Sequence, residues 1–213
     1  MRDPAEIQAQ AEEATAAEFY ETPSRAIDEL MLSGPALPGG AWLDPCAGRG
    51  AIPRAVSRHR HDVTWYLCEL RAECRTELEQ LRPAGLAIED ALAPIPSPER
   101  SAWPRPAVVI FNAPFTLTVR FVERAWKAAP AAWVVSLQRQ SFVGPARALW
   151  LSRHMPDRCQ LSYRPSFRRD GRTDGCEYEW HIWPPGERGR AFGRCGMLSL
   201  PVQGDLFARG ARP

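Results

Sequence analysis

The sequence predicts an α/β protein with a mainly parallel β-sheet, helices on both faces and an antiparallel last strand. Short runs typical of strands alternate along the chain with longer segments of helical periodicity. This alternation is the pattern of a parallel sheet. Residues 107–111, AVVIF, form a continuous apolar run, as expected of a strand covered on both faces. The polar segment 164–175 joins the last two predicted strands without a helix, so the final strand should run antiparallel to its neighbour.

The predicted elements follow one another in a regular order. The strands are runs of apolar or alternating residues, at 41–44, 62–70, 85–90, 107–111, 131–138, 158–163 and 176–183. The helices carry apolar residues at helical spacing, at 24–32, 51–59, 71–82, 118–129 and 144–154. Between the third and fourth strands the segment 93–106 is rich in proline, which predicts an irregular surface connection.

Length and composition fit one globular domain. The chain has 213 residues, 45% of them hydrophobic and 24% charged, which is enough for a sizeable core. We expect a helical arm at 1–18, a single α/β domain at 19–184 and an irregular tail at 185–213. No apolar run approaches the roughly 20 residues that span a bilayer, and the acidic N-terminus lacks the apolar centre of a secretory signal. Six cysteines without a CxxC pair argue against a zinc site and a disulfide framework, so a reducing cytoplasm is expected.

The net charge of +2 hides an uneven distribution along the chain. Residues 1–30 hold eight acids against two arginines, whereas residues 138–172 hold eight arginines against two aspartates. A positive segment of this kind is what a polyanion site needs. It is also compatible with an ordinary solvated surface in a chain that prefers arginine, since the only lysine is Lys127.

Polar and small residues stand where the predicted strands end, and ligands of open parallel sheets bind at that edge. The first strand ends in Asp44 and the loop PCAGRG, the second in Glu69, the third in Asp90 and the fourth in Asn112. Small residues in the loop let a ligand approach the backbone, and an acid about 20 residues later can accept bonds from ribose hydroxyls. The loop is not GxGxxG, and its acid suits a cofactor with a positive charge. S-adenosylmethionine is therefore favoured over NAD.

The order of these motifs resembles a known family. TPSRAI, LDPCAGRGAI, CEL, ED and NAPF are similar to motifs X, I, II, III and IV of the S-adenosylmethionine-dependent amino-methyltransferases of DNA. More closely, the chain resembles phage- and prophage-type DNA adenine-N6 methyltransferases, including the later stretch RPSFRRDGRTDGCEYEWHIW. The similarity covers roughly residues 19–184. It implies a Rossmann-like class I methyltransferase fold with seven strands.

The resemblance assigns roles to individual residues. Those expected to bind the cofactor are Thr22 and Pro23 at its methionine end, Asp44, Ala47 and Gly48 around its methionine portion, Glu69 on the ribose, Asp90 on the adenine amino group, and Asn112 beside the donor. Those expected to form the methyl-acceptor site are Asn112, Ala113, Pro114 and Phe115. The family usually has proline where Ala113 stands. Only the backbone carbonyl is needed at that position, so alanine can serve.

The chemistry of an exocyclic amine explains why NAPF follows a buried strand. The lone pair of such an amine is delocalised into the ring, so the amine is a poor nucleophile. The side-chain oxygen of Asn112 and the carbonyl of Ala113 can each accept one of its N–H bonds, most favourably as the nitrogen becomes tetrahedral. Pro114 fixes the chain direction, and Phe115 offers a face on which an extruded base can lie.

The positive segment is the predicted nucleic-acid face. The residues expected to contact DNA are Arg139, Arg164, Phe167, Arg168, Arg169 and Arg172, and the loop 164–175 is the candidate target-recognition loop. The alternating residues Tyr178, Trp180 and Trp183 are expected in the core. The expected partner is double-stranded DNA with one base flipped, with no membrane and no metal, and an oligomer or partner subunit is left open.

Other substrates of the same motif stay open at this stage. An Asn-x-Pro-aromatic motif also serves methylation of cytosine N4, of adenine in RNA, and of glutamine amides in proteins. The arginine-rich segment favours a nucleic acid over a protein, but it does not separate DNA from RNA. A non-catalytic DNA-binding protein on the same fold is the alternative from a different class, and Ala113 is the feature that points to it.

Overall fold

The computed structural model of the protein describes residues 21–167, 175–187, 189–190 and 192–200. Its strands are β1 (Gly40–Asp44), β2 (Val63–Glu69), β3 (Gly85–Ile88), β4 (Val108–Phe111), β5 (Trp133–Arg139), β6 (Asp157–Gln160), β7 (Tyr178–Trp183) and β8 (Cys195–Met197). Its helices are α1 (Ser24–Ser33), α2 (Ala51–Val56), α3 (Arg75–Glu79), α4 (Pro98–Ser101), α5 (Thr118–Ala128) and α6 (Ala148–His154). The predicted arm at 1–18 lies outside the described residues. None of the helices in the described part is long and apolar enough to cross a membrane.

The strands form one sheet in the order β3-β2-β1-β4-β5-β7-β6-β8. β1 lies where the order reverses, because it pairs in parallel with β2 on one side and with β4 on the other. Helices that leave β1 and β4 therefore lie on opposite sides of this point, and a crevice opens outside the carboxyl ends of the two strands. Asp44 and Glu69 end β1 and β2, and Asp90 and Asn112 follow β3 and β4, so these four residues lie at that edge of the sheet.

Alternation along β4 shows how the two faces are covered. Val108 and Ile110 belong to a buried cluster that contains the apolar residues of α1 and α2. Val109 and Phe111 belong to the cluster on the other face, with α5 and Leu151 of α6. All four β4 residues are buried, as the continuous apolar run predicts. Helices on both faces of a mainly parallel sheet are therefore confirmed.

The antiparallel strand is β7, and its direction follows from the connection before it. Residues 161–167 and 175–177, the described parts of that connection, contain no helix that could carry the chain back across the sheet. β7 consequently runs antiparallel to β6 and to β5, between which it lies. All six residues of β7 are buried, and the core positions predicted for Tyr178, Trp180 and Trp183 are confirmed.

An eighth strand, β8, lies within the segment that the sequence predicts to be an irregular tail. It pairs in parallel with β6 at the edge of the sheet. The backbone N–H of Arg194 donates to the Asp157 carboxylate at 2.6 Å, and that of Leu198 donates to the Gln160 carbonyl at 2.7 Å. Leu198 is 2% exposed and joins the main core. The sequence does not reveal this strand, because its three residues are all exposed and show no apolar alternation.

Candidate active site

The loop after β1 is held by its own backbone and by the next strand. The Asp44 carboxylate accepts the backbone N–H of Cys46 at 3.1 Å. The N–H of Ala47 donates to the Cys68 carbonyl at 3.0 Å, so the loop is tied to β2. Gly50 has φ of 81°, and a Cβ there would collide with the Leu81 side chain. Close packing and a left-handed backbone therefore explain the glycine at position 50.

Glu69 at the end of β2 links the second strand to the same loop. Its carboxylate accepts the backbone N–H of Gly48 at 2.7 Å and that of Arg71 at 2.9 Å. The side chain is 2% exposed, so these bonds hold it in one orientation. The Arg71 guanidinium also lies 3.4 Å from this carboxylate. A carboxylate has about four lone-pair directions, so acceptor capacity remains for a ribose hydroxyl.

Asp44 is a carboxyl group almost without contact with water, since it is 1% exposed. The pKa of Asp44 is raised to about 8, mainly by burial and in part by the nearby charge of Glu69, while the Cys46 N–H lowers it. The group therefore carries a proton at neutral pH. A cation bound beside it would favour the ionised form, which is the behaviour expected of an acid that receives a positively charged ligand.

Asp90 lies in a different environment from Asp44. It is exposed, follows β3 by two residues, and accepts the backbone N–H of Leu92 at 2.8 Å. Its neighbour Glu89 forms an ion pair with Arg100 at 2.9 Å. The exposed carboxylate of Asp90 is open to a ligand that brings an amino group.

The NAPF segment lies at the end of β4 beside the loop of β1. Ala113 is 2% exposed, whereas Asn112 and Phe115 are half-buried. The Cys46 thiol lies within hydrogen-bond reach of the Asn112 backbone, so the loop after β1 and the end of β4 are in direct contact. Burial raises the pKa of this thiol well above its ordinary value, so Cys46 stays protonated and serves in packing. The backbone N–H of Leu117 donates to the Pro114 carbonyl at 2.8 Å and turns the chain into α5.

An aromatic and cationic cluster lies next to Asn112. The Arg139 guanidinium carbon is 4.8 Å from the centre of the Phe115 ring, and Arg139 Nε donates to the Tyr178 hydroxyl at 3.2 Å. Tyr178 also contacts Phe115 and Phe167, with ring centres 5.9 and 4.7 Å away. The sequence assigns Tyr178 to the core only. Its contact with Arg139 follows from the pairing of β7 with β5, which sets these two residues opposite each other.

The described arginines of the positive segment predicted from the sequence have different partners. Arg158 is bound to the buried Glu179 through two bonds of 2.8 and 3.0 Å. Arg164 is exposed and pairs with Glu177 at 2.6 Å. The remaining predicted contacts, Arg168, Arg169 and Arg172, lie outside the described residues. Among the described arginines of this segment, Arg139 is therefore the one placed against the NAPF motif.

Thr22 and Pro23 lie at the start of α1. Thr22 is 7% exposed, and the Pro23 carbonyl accepts the Ala26 N–H at 3.0 Å. α1 packs in the same core cluster as α2, which begins directly after the loop of β1. Within the described residues no direct bond joins Thr22 or Pro23 to that loop.

The chain resembles solved methyltransferase structures in its fold. No protein-family model and no curated protein matches the sequence. The methyltransferase subunit of a type I restriction-modification system from Streptococcus thermophilus aligns with 79% of this chain and 45% of its own, at 12% identity and a TM-score of 0.54. A predicted O-methyltransferase from Agrobacterium tumefaciens aligns with 83% of this chain and 86% of its own, at 16% identity and a TM-score of 0.55. A putative RNA methyltransferase from Pyrococcus horikoshii aligns with 78% of this chain and 86% of its own, at 13% identity and a TM-score of 0.54.

These comparisons establish the class of fold. The chain has the Rossmann-like fold of methyltransferases, as the sequence predicts. It spans less than half the length of the Streptococcus thermophilus subunit. The three proteins are named for different acceptors, so the fold by itself does not select a substrate.

Proposed function

We propose that this protein transfers a methyl group from S-adenosylmethionine to the exocyclic N6 amine of adenine in DNA. S-adenosylmethionine is the cofactor expected of this methyltransferase fold. The observation that carries the proposal is the position of Cys46, which packs on the cluster that contains Phe111 and Ala113 and interacts with the Asn112 backbone. It brings the acidic loop after β1 against the Asn-x-Pro-Phe segment after β4, so a donor held by one would face an acceptor held by the other.

The acids at the strand ends fit the proposed cofactor. Asp44 is buried with a pKa raised to about 8, so a ligand bearing an ammonium or sulfonium charge would stabilise its ionised form. Glu69 would accept the ribose hydroxyls and Asp90 the adenine amino group. When bound, S-adenosylmethionine supplies a methyl group activated by the positive charge on sulfur.

The acceptor side would be formed by Asn112, Ala113 and Phe115. The Asn112 side-chain oxygen and the Ala113 carbonyl would each accept one N–H of the amine, which directs its lone pair toward the donor. These bonds are strongest when the nitrogen is tetrahedral, so they favour the transition state over the ground state. Alanine at position 113 retains the required carbonyl, and burial holds the peptide in place.

DNA is the acceptor favoured by the motif resemblance to phage- and prophage-type enzymes. The restriction-modification subunit from Streptococcus thermophilus has a similar fold, which agrees with DNA as the acceptor. At 12% identity this similarity is evidence for the fold alone. Methylation of adenine in RNA is the second candidate, since the Pyrococcus horikoshii neighbour is named as a putative RNA methyltransferase. The recognition loop 164–175 is short, so we expect modest sequence specificity or a partner subunit.

Replacement of Asn112 by Ala tests the proposal. We expect the rate of transfer to fall by about 100-fold to 1000-fold, because one of two hydrogen-bond acceptors in the transition state is lost. Cofactor affinity, measured by calorimetry, should stay nearly unchanged, since the acids that hold the cofactor lie elsewhere. Mass spectrometry of nucleosides, after incubation with plasmid DNA or with cellular RNA, would identify the methylated base.

The possible outcomes separate the alternatives. N6-methyladenine in DNA supports the proposal, whereas N4-methylcytosine or methylated RNA adenine would replace it with another substrate. A wild-type protein that binds the cofactor, binds DNA and methylates no nucleic acid would be a binding module on a methyltransferase fold.

A further inference from the structure

The Phe115 ring is covered by a cation in this structure. Arg139 extends from the end of β5, and its guanidinium carbon lies 4.8 Å from the ring centre. The same side chain donates to the Tyr178 hydroxyl at 3.2 Å, so both Phe115 and Tyr178 help to hold it in place. Tyr178 is 1% exposed, which makes it a rigid anchor for the guanidinium.

The covered face of Phe115 lies beneath a side chain that is partly exposed. Phe115 packs against the main core cluster and contacts Tyr178, whose ring centre lies 5.9 Å away. Arg139 is half-buried, so part of the side chain that covers this face of the ring is exposed to solvent. A base that stacks on this face of Phe115 therefore needs the space that the guanidinium occupies.

A guanidinium group is chemically suited to give up this position. It is planar and stacks on aromatic rings, so it covers Phe115 in much the way that a base would. It also binds phosphate through two parallel N–H bonds, and an extruded nucleotide brings a phosphate group on each side of its sugar. The nucleotide that displaces the guanidinium from Phe115 would thus supply a phosphate group as its new partner.

We infer that Arg139 holds the place of the target base on Phe115 in the free protein and moves to a backbone phosphate of the extruded nucleotide when the base enters. This inference rests on the proposed function, because it assumes that Phe115 receives a nucleobase. It makes Arg139 a positioning residue that links base entry to phosphate binding. The guanidinium can cover Phe115 or bind a phosphate, but it cannot do both at once. Removal of the side chain should therefore strengthen the binding of a base without phosphate and weaken the binding of a ligand with phosphate.

Arg139→Ala provides the test, with the cofactor site filled by S-adenosylhomocysteine. Free adenine, followed by NMR, should bind about threefold to tenfold more tightly to Arg139→Ala than to the wild type, because no cation has to be displaced. A single-stranded oligodeoxyadenylate should bind less tightly to the variant. The slope of log affinity against log salt should become shallower by about 0.7, the value for one phosphate contact on a single strand.

Two further variants serve as controls. Arg139→Lys keeps the charge, so its slope of log affinity against log salt should equal that of the wild type. Adenine should still bind more tightly to Arg139→Lys than to the wild type. Arg147→Ala is a matched control, because Arg147 stacks over the ring of Phe142 at a similar distance of 4.7 Å. It should change neither adenine affinity nor salt slope.

A purely structural role for Arg139 gives a different pattern. Adenine and the oligonucleotide would then both bind less tightly to Arg139→Ala, with an unchanged salt slope, and this result would overturn the inference. If that pattern accompanied normal DNA methylation by the wild type, the proposed function would stand and only the role of Arg139 would fall. Failure of the wild type to methylate any nucleic acid would instead contradict both the proposed function and the inferred role of Arg139.

Discussion

Asp44 and Glu69 show how similar side chains at neighbouring strand ends acquire different tasks. Both carboxyl groups are buried, but two backbone N–H groups bond to Glu69 and only one bonds to Asp44. Without further donors, burial dominates at Asp44 and raises its pKa to about 8. The hydrogen bonds thus tie Glu69 to the loop after β1 in an orientation suited to accept a ribose hydroxyl, and they leave Asp44 available to a cation.

The raised pKa of Asp44 predicts a pH-dependent affinity for the cofactor. A cation binds the ionised carboxylate, so the affinity for S-adenosylmethionine should rise as pH increases through about 8, and binding below that pH should release a proton. Calorimetry in buffers of different ionisation enthalpy would measure the proton. Asp44→Asn should bind the cofactor more weakly and release no proton. An equal proton release by wild type and variant would assign the proton to another group.

The same group affects the stability of the ligand-free protein. The folded state holds the Asp44 proton up to about pH 8, whereas an unperturbed aspartate releases it near 3.8. The free energy of unfolding should therefore fall as pH rises between these values, because ionisation of the buried group is unfavourable. Asp44→Asn should lack this contribution, so its melting temperature should exceed that of the wild type most clearly above pH 8.

At the scale of the element, β7 combines complete burial with two titratable side chains. Glu179 and His181 are both 0% exposed, and His181 Nε2 lies 2.6 Å from the Glu179 carboxylate. Burial alone would raise the pKa of Glu179, but the bonds from His181 and Arg158 outweigh it and hold the pKa below its ordinary value. Burial lowers the pKa of His181, so its imidazole is neutral. Arg158 of β6 and Glu179 of β7 thus form an ion pair between the two strands.

Replacement of Arg158 by Leu should destabilise the protein by about 2–4 kcal/mol at pH 7, because it leaves the Glu179 carboxylate buried without its charged partner. Urea denaturation would measure the loss. The contribution of a carboxylate with a lowered pKa is present above its ordinary pKa and is lost as pH falls through its folded value, so the difference from wild type should shrink in acid. The double variant Arg158→Leu, Glu179→Gln should recover much of the stability, and failure to recover it would show that Arg158 acts through packing.

At the scale of the whole molecule, the tail completes the sheet and covers part of the core. β8 lies at the edge beyond β6, and Leu198 directly after it is buried, whereas Met197 within it is 69% exposed. The N–H of Ser199 donates to the Ser33 hydroxyl at 3.0 Å, which ties the tail to the end of α1. The two ends of the described chain are therefore joined across one face of the sheet.

Leu198→Ala should lower the free energy of unfolding by about 2–3 kcal/mol, since it leaves a cavity in the main core. Met197→Ala is the matched control and should change it by less than about 0.5 kcal/mol, because the side chain is exposed. Chemical denaturation of both variants would measure the difference. Equal effects at the two positions would mean that the tail does not pack on the core in solution.

Much of the fold was predictable because it depends on local patterns. The strand at 107–111 follows from a continuous apolar run that is buried on both faces of a parallel sheet, and the antiparallel β7 follows from a connection without a helix. β8 was not predictable, since its three residues are exposed and owe their conformation to pairing with β6. The short helix α3 was also predicted too long, because a 3₁₀ turn at Ala72–Cys74 takes its first residues.

Taken alone, the sequence determined the order of the elements and the residue types that end β1, β2, β3 and β4, because periodicity and turn chemistry act between near neighbours along the chain. Only the tertiary structure decided which of these residues meet: Cys46 with Asn112, Arg139 with Phe115 and Tyr178, and Arg158 with Glu179. It also decided that Asp44 holds a proton, since a pKa depends on burial and on charges that strand pairing brings together from distant positions.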